Sequence, residues 1–132
     1  MSVLEGFELY QAGSAKPFIT LRDGSVTFSK QAVECMEYAE YVHVYLDRGG
    51  RRFAVQASEN DDAAFVFYQK PKDGRSMLVR LSDRRFADQI KELAGIERCE
   101  KGLRYYGSYA EDEHILIFDM SVPGIYAAKE KE

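Results

Sequence analysis

Along most of this chain, hydrophobic and polar residues alternate in short runs broken by Gly, Pro and Asp, which is the period of strands rather than helices. Leu4 to Gln11 sets Leu4, Phe7 and Leu9 loosely against Glu5, Glu8 and Tyr10. Phe18 to Arg22 and Ser25 to Phe28 face each other across Asp23-Gly24. A type I′ turn is predicted there, with positive φ at both central residues. Tyr41 to Leu46 puts Val42, Val44 and Leu46 on one side and Tyr41, His43 and Tyr45 on the other. After Arg48-Gly49-Gly50-Arg51 the chain returns with Phe53, Val55 and Ala57 on a single face. Ala63 to Tyr68, Met77 to Leu81, Leu103 to Tyr109 and Ile115 to Met120 complete the predicted strands. The last two are joined across Ala110-Glu111-Asp112-Glu113.

Two stretches change period. Ser29 is a natural N-cap for a helix from Lys30 to about Tyr38, with Ala32, Val33 and Met36 on one face. Ser82 is the expected cap of a clearer helix, Asp83 to Ala94, striped by Phe86, Ile90, Leu93 and Ala94 and ended by Gly95. The predicted fold is a single α+β domain over residues 1–126, with a charged flexible tail at 127–132. It holds seven to nine mostly antiparallel strands and two short helices, closed or partly closed into a barrel. Residues 17–58 and 76–122 share one order of elements: strand, Ser-capped helix, strand, turn, strand. That order fits an internal duplication and equally a topology shared without one.

Composition changes this picture little. A chain of 132 residues, 45% hydrophobic and 30% charged, can bury a core without disulfides or metal. Nine Tyr and eight Phe, with no Trp, add weight to strands. No run is long and apolar enough for a membrane span, and the N-terminus does not look like a signal peptide, so a cytoplasmic protein is expected. Cys35 and Cys99 are then expected as free thiols. Charge matters more. The net charge of −4 hides a basic stretch over residues 69–85, where Lys70, Lys72, Arg75, Arg80, Arg84 and Arg85 face only Asp73 and Asp83. It is either an anion-binding patch or a solvated segment balancing acidic neighbours.

Chemical signatures are sparse. His43 and His114 lack partners at metal-ligand spacing, and Glu59, Asp61 and Asp62 lack the glycine and terminal glutamate of a calcium loop. There is no nucleophile elbow, phosphate loop or dinucleotide fingerprint. A non-enzymatic protein without cofactor, metal or catalytic residues is expected. Tyr41, Tyr45, Tyr105, Tyr106 and Tyr109 are candidates for stacking on bases or for packing across strands.

Gly24-Ser25-Val26-Thr27-Phe28-Ser29-Lys30-Gln31-Ala32-Val33, followed by Val42 to Asp47 and Arg52 to Gln56, resembles the AbrB/MazE/SpoVT swapped-hairpin family. That family runs a glycine-led strand, a short helix and a hairpin, and its members are dimeric transcription regulators and antitoxins with an arginine-rich DNA face. The resemblance spans residues 19–57. Ser25 and Val33 stand where the family carries arginines, and Ser29 stands for its helix proline. It implies a nucleic-acid-binding or transcription-linked regulator, with a second half that completes the family's dimer within one chain. The contact residues are then expected at Arg48, Arg51, Arg52, Lys70, Lys72, Arg75, Arg84 and Arg85. The alternative is a protein-interaction module that binds a protein partner and no nucleic acid. Neither reading involves a membrane, and an oligomer is compatible with both.

Overall fold

The computed structural model describes residues 16–69 and 78–126. The expected strand over 4–11, residue 77 of the expected strand over 77–81, and the 127–132 tail lie outside the described residues. Within them the chain forms β1 (Phe18–Arg22), β2 (Ser25–Phe28), α1 (Lys30–Cys35), β3 (Tyr41–Asp47), β4 (Arg52–Ala57) and β5 (Phe65–Val66). These are followed by β6 (Val79–Leu81), α2 (Arg84–Ala94), β7 (Leu103–Ala110), β8 (Ile115–Asp119) and β9 (Ile125–Tyr126). The strands make one sheet in the order β5-β3-β4-β8-β7-β1-β2-β6, and every pairing is antiparallel. The first half of β7 pairs with β1, and with the short β9 on its other edge; the second half pairs with β8.

The sheet is strongly curled. Strands lie about 4.8 Å apart, so β2 and β5, six steps apart in this order, would stand about 29 Å from each other in a flat sheet. Yet the ring of Phe28 on β2 meets Phe67, just past β5, at 5.0 Å, and Phe118 on β8 at 6.1 Å. Inward residues of every long strand therefore share one core with the helices. Ile19, Leu21, Val26, Phe28, Val42, Phe53, Val55, Leu116 and Phe118 are all buried there. From α2 come Phe86, Ala87, Ile90 and Leu93, with Phe86 edge-on to Phe53.

The pairing pattern has an internal regularity. Exchanging β1, β2, β3 and β4 for β5, β6, β7 and β8 carries β1–β7 into β5–β3 and β3–β4 into β7–β8. It returns β2–β6 and β4–β8 to themselves. Among the described residues β1–β2 and β7–β9 have no paired counterpart. Each long hairpin lies against the other half's leading strand rather than its own.

Three local expectations are corrected. Gly24 has φ of 85°, but Asp23 is not left-handed, so the β1–β2 turn is not type I′; positive φ at the second central residue alone is the type II arrangement. Asp23 is held instead by the loop after α2, its Oδ1 accepting from Cys99 N at 2.8 Å and Lys91 Nζ at 3.0 Å. Helix α1 stops at Cys35, not near Tyr38. Glu37 and Tyr38 take left-handed φ of 53° and 57°, and Tyr38 N donates back to Val33 O. This reversal buries Met36 and is held by the Tyr38 ring edge-on to Tyr68 at 5.2 Å. Finally, Asp83 rather than Ser82 caps α2, its side chain accepting from Phe86 N at 3.1 Å. Ser and Asp cap about equally well, so sequence does not choose between neighbours. Ser29 does cap α1, its Oγ accepting from Ala32 N and from Phe18 N on β1.

Candidate functional site

Two of the arginines at the β3–β4 tip, Arg48 and Arg51, reach onto α2, while Arg52 stays on its own hairpin. Arg51 sits at φ of 55° at the end of the turn; its Nε donates to Leu93 O at 2.8 Å and its Nη2 to Ala94 O at 3.0 Å. These carbonyls belong to the last turn of α2, where four C=O groups lack helical partners, so Arg51 closes the helix from outside it. Arg48 donates to Glu92 at 3.1 Å and to Gln89 on the same helix. Arg52 is paired with Asp47, Nη2 to Oδ2 at 2.7 Å. The Asp47 carboxyl is held below its usual range, first by the Gly50 backbone N–H and then by Arg52.

Lys70, Lys72 and Arg75 lie outside the described residues. Arg84 and Arg85 open α2, both exposed and without an ion pair among the described residues. They place two cations at the positive end of the helix dipole, an arrangement that costs stability and favours an anion nearby. Of the tip arginines, Arg48 and Arg51 contact the middle and far end of the same helix, and Arg52 pairs with Asp47.

Register assembles a second basic group, which reading the sequence alone missed. On the convex face of β7, β1, β2 and β6, Arg104 pairs across to Thr20, Thr20 to Thr27, and Thr27 to Arg80. Arg22 continues the outward phase of β1. The Arg104 guanidinium lies 3.9 Å over the ring of Phe18, which meets Tyr106 edge-on at 5.6 Å. None of the outward positions of these strands is acidic: they are Phe18, Thr20, Arg22, Ser25, Thr27, Arg80, Arg104 and Tyr106. The other half of the same face is mixed, with Asp47 and Asp119 beside Arg52. Alternation within each strand foretold which residues point outward. Only the cross-strand register shows that four strands contribute to one row.

The remaining candidates separate. Tyr105 is buried in the core, Tyr106 belongs to the basic face, and Tyr45 is exposed on β3. Tyr41 and Tyr109 line an open hollow with Glu37, Tyr38, Glu40 and His114, about 740 Å³ in volume. His43 Nε2 is bound to Asp61 at 2.9 Å, and this contact first of all lowers the Asp61 carboxyl. The Ser58 to Asp62 loop is thereby tied to β3. His114 Nδ1 meets Tyr109 Oη at 3.1 Å. Both cysteines are free thiols; Cys99 is buried, donates to Leu21 O at 2.8 Å, and has its thiol pushed up by that burial. Among the described residues no three His, Cys, Asp or Glu side chains group as metal ligands, and no helix is long and apolar enough to cross a membrane.

Comparison with known proteins finds no matching family model, no matching curated protein and no matching solved structure. The class of this chain therefore rests on its fold, an α+β domain built on one curled, mostly antiparallel sheet.

Proposed function

We propose that this chain is a small, non-enzymatic nucleic-acid-binding regulator of the cytoplasm, which meets phosphate through the convex face of β7, β1, β2 and β6. The observation that carries the reading is the row Arg104, Thr20, Thr27 and Arg80, flanked by Arg22, with no carboxylate in its register. Long cations suit a sugar-phosphate backbone: guanidinium groups fork onto phosphate oxygens, and the half-buried Thr27 adds a hydrogen bond, while Thr20 between the arginines is buried. Tyr106 beside them is exposed and offers a ring face to an unstacked base, whereas the Phe18 ring is covered by the Arg104 guanidinium. Arg84 and Arg85 follow Arg80 within five residues and extend the positive surface to the start of α2. Arg48, Arg51 and Arg52 act in folding on this reading, Arg48 and Arg51 by bonding α2 and Arg52 by pairing with Asp47.

The exchange of hairpins between halves supports two further parts of the proposal. A duplicated ancestor accounts for a pairing pattern that survives swapping β1–β4 for β5–β8. It also accounts for the resemblance to the swapped-hairpin regulators, with one chain standing for their dimer. Ser25 and Val33, at positions where those regulators carry arginine, are buried in this chain and carry no cation, so the contact is assigned to the arginines Arg22, Arg80 and Arg104.

A second reading, a protein-interaction module, has one observation in its favour. A groove of about 420 Å³ between β3 and α2 is lined by the apolar Val44, Leu46, Phe65 and Phe86 together with Asp83, Arg85 and Gln89. A column of mixed-sequence DNA separates the two. Retention at about 100 mM salt, lost as salt rises, is expected of the regulator. Flow-through at low salt would leave the interaction module standing.

A further inference from the structure

The hollow beside the end of α1 has walls unlike any other surface of the molecule. Its cavity of about 740 Å³ is lined by Tyr38, Tyr41 and Tyr109, by Glu37 and Glu40 and by His114, and among the described residues no Lys or Arg lines it. A second hollow, about 430 Å³, shares Tyr38 and Glu40 with the first and adds Tyr68 and Gln69. The two hollows adjoin at Tyr38 and Glu40, together called the trough, and the Tyr38 ring is fixed edge-on to Tyr68. The backbone on either side is defined: Tyr68 N donates to Ala39 O and Phe67 N to Glu40 O.

The field in the trough is negative. The Tyr109 phenol is pushed up by burial first, then by nearby groups that include the carboxylates of Glu37 and Glu111. Such a field repels phosphate, so this is no extension of the arginine face. Nor is it suited to a bare metal ion, which needs grouped ligands that are missing among the described residues and gains little from phenol rings. An ammonium group uses both features, since ring faces and carboxylates each attract a weakly hydrated organic cation. With two carboxylates spaced along two connected hollows, the geometry favours several ammonium groups on one flexible chain.

We propose that this trough binds a small linear polyammonium compound, with Glu37 and Glu40 holding its charges and Tyr38, Tyr41 and Tyr109 flanking its methylene segments. The site stands apart from the proposed nucleic-acid face and does not depend on it.

Spermidine titrated into the full chain without nucleic acid tests this, followed by calorimetry and by tyrosine emission, which is readable because the chain has no Trp. One saturable site is expected. Glu37→Gln with Glu40→Gln, both at exposed positions, should weaken it about tenfold at an unchanged melting temperature. Tyr38→Leu with Tyr41→Leu leaves the charge intact and should weaken it by roughly threefold to fivefold. Magnesium at matched ionic strength should compete poorly. Absence of saturation, an affinity unmoved by the Glu→Gln pair, or magnesium competing as well as spermidine would each overturn the proposal.

Discussion

Replacing Arg51 by alanine separates a folding role from a binding role at the β3–β4 tip. The side chain makes two charged-donor hydrogen bonds to the carbonyls of Leu93 and Ala94, the first partly buried and the second exposed. A hydrogen bond from a charged donor contributes about 1.5–3 kcal/mol when sheltered, and less when water competes. Together the two contribute about 2 kcal/mol, since water can reach the carbonyls once the guanidinium is gone. The exposed pairs Arg52–Asp47 and Arg48–Glu92 contribute less than about 1 kcal/mol each. For a domain of this size 1 kcal/mol moves Tm by about 4 °C. Arg51→Ala should therefore lower Tm by about 7 °C, and Arg48→Ala or Arg52→Ala by less than about 4 °C. Arg51 also sits at positive φ, so Arg51→Gly relieves roughly 1 kcal/mol of left-handed strain and should fall between these values. Differential scanning calorimetry on the four variants decides the matter. Equal losses from all three alanine substitutions would refute the capping role, and so would an Arg51→Gly variant less stable than Arg51→Ala.

Four other outcomes are expected. Gly107→Ala drives a Cβ to 2.6 Å from the ring of Phe118, which is fully buried, so it should cost about 1–3 kcal/mol. Gly24→Val meets open space and should cost only the backbone strain of its positive φ, about 1–2 kcal/mol, with chemical denaturation reading both. Thiol titration should find two free cysteines in the unfolded chain, with Cys99 unreactive until unfolding because it is buried and bonded to Leu21 O. Acid should destabilise the fold in a defined window. The carboxyls of Asp23, Asp47, Asp61 and Asp119 are all lowered in the folded chain by their hydrogen-bond partners, Lys91 foremost for Asp23. Their contribution is thus present above the ordinary carboxylate range and lost as pH falls below about 4. A Tm that stays level between pH 5 and about pH 2.5 would contradict it.

Much of the fold was legible because period-2 patterning reports local geometry. Phe18–Arg22 and Ser25–Phe28 appear where the alternation puts them, and Tyr41–Asp47 and Arg52–Ala57 pair as expected. Boundaries failed where two local choices were nearly equal in energy, as between Ser82 and Asp83. They failed again where tertiary packing imposed an unfavourable backbone, as at Glu37 and Tyr38. Strand β9 is two residues long and exists only because β7 offers it an edge. The site was harder to read. Density of basic residues along the chain directed attention to 69–85 and to the hairpin tip, but density ignores which guanidinium groups the fold has already engaged. Arg22, Arg80 and Arg104 are far apart in sequence, and only curling and register bring them to one acid-free face. Neither property has a signature within a window of ten residues.

The salt dependence of DNA binding tests the central claim most directly. Fluorescence anisotropy of a mixed-sequence duplex, titrated from low to moderate salt, gives the slope of log affinity against log salt, which counts the phosphates neutralised. Arg22→Gln, Arg80→Gln and Arg104→Gln combined keep the packing stems and remove three cations. They should weaken binding for all sequences and flatten the slope by about two to three units. Arg48→Gln with Arg52→Gln should leave the slope unchanged. A slope unmoved by the triple variant, or flattened instead by the tip pair, would contradict the placement of the nucleic-acid face on β7, β1, β2 and β6.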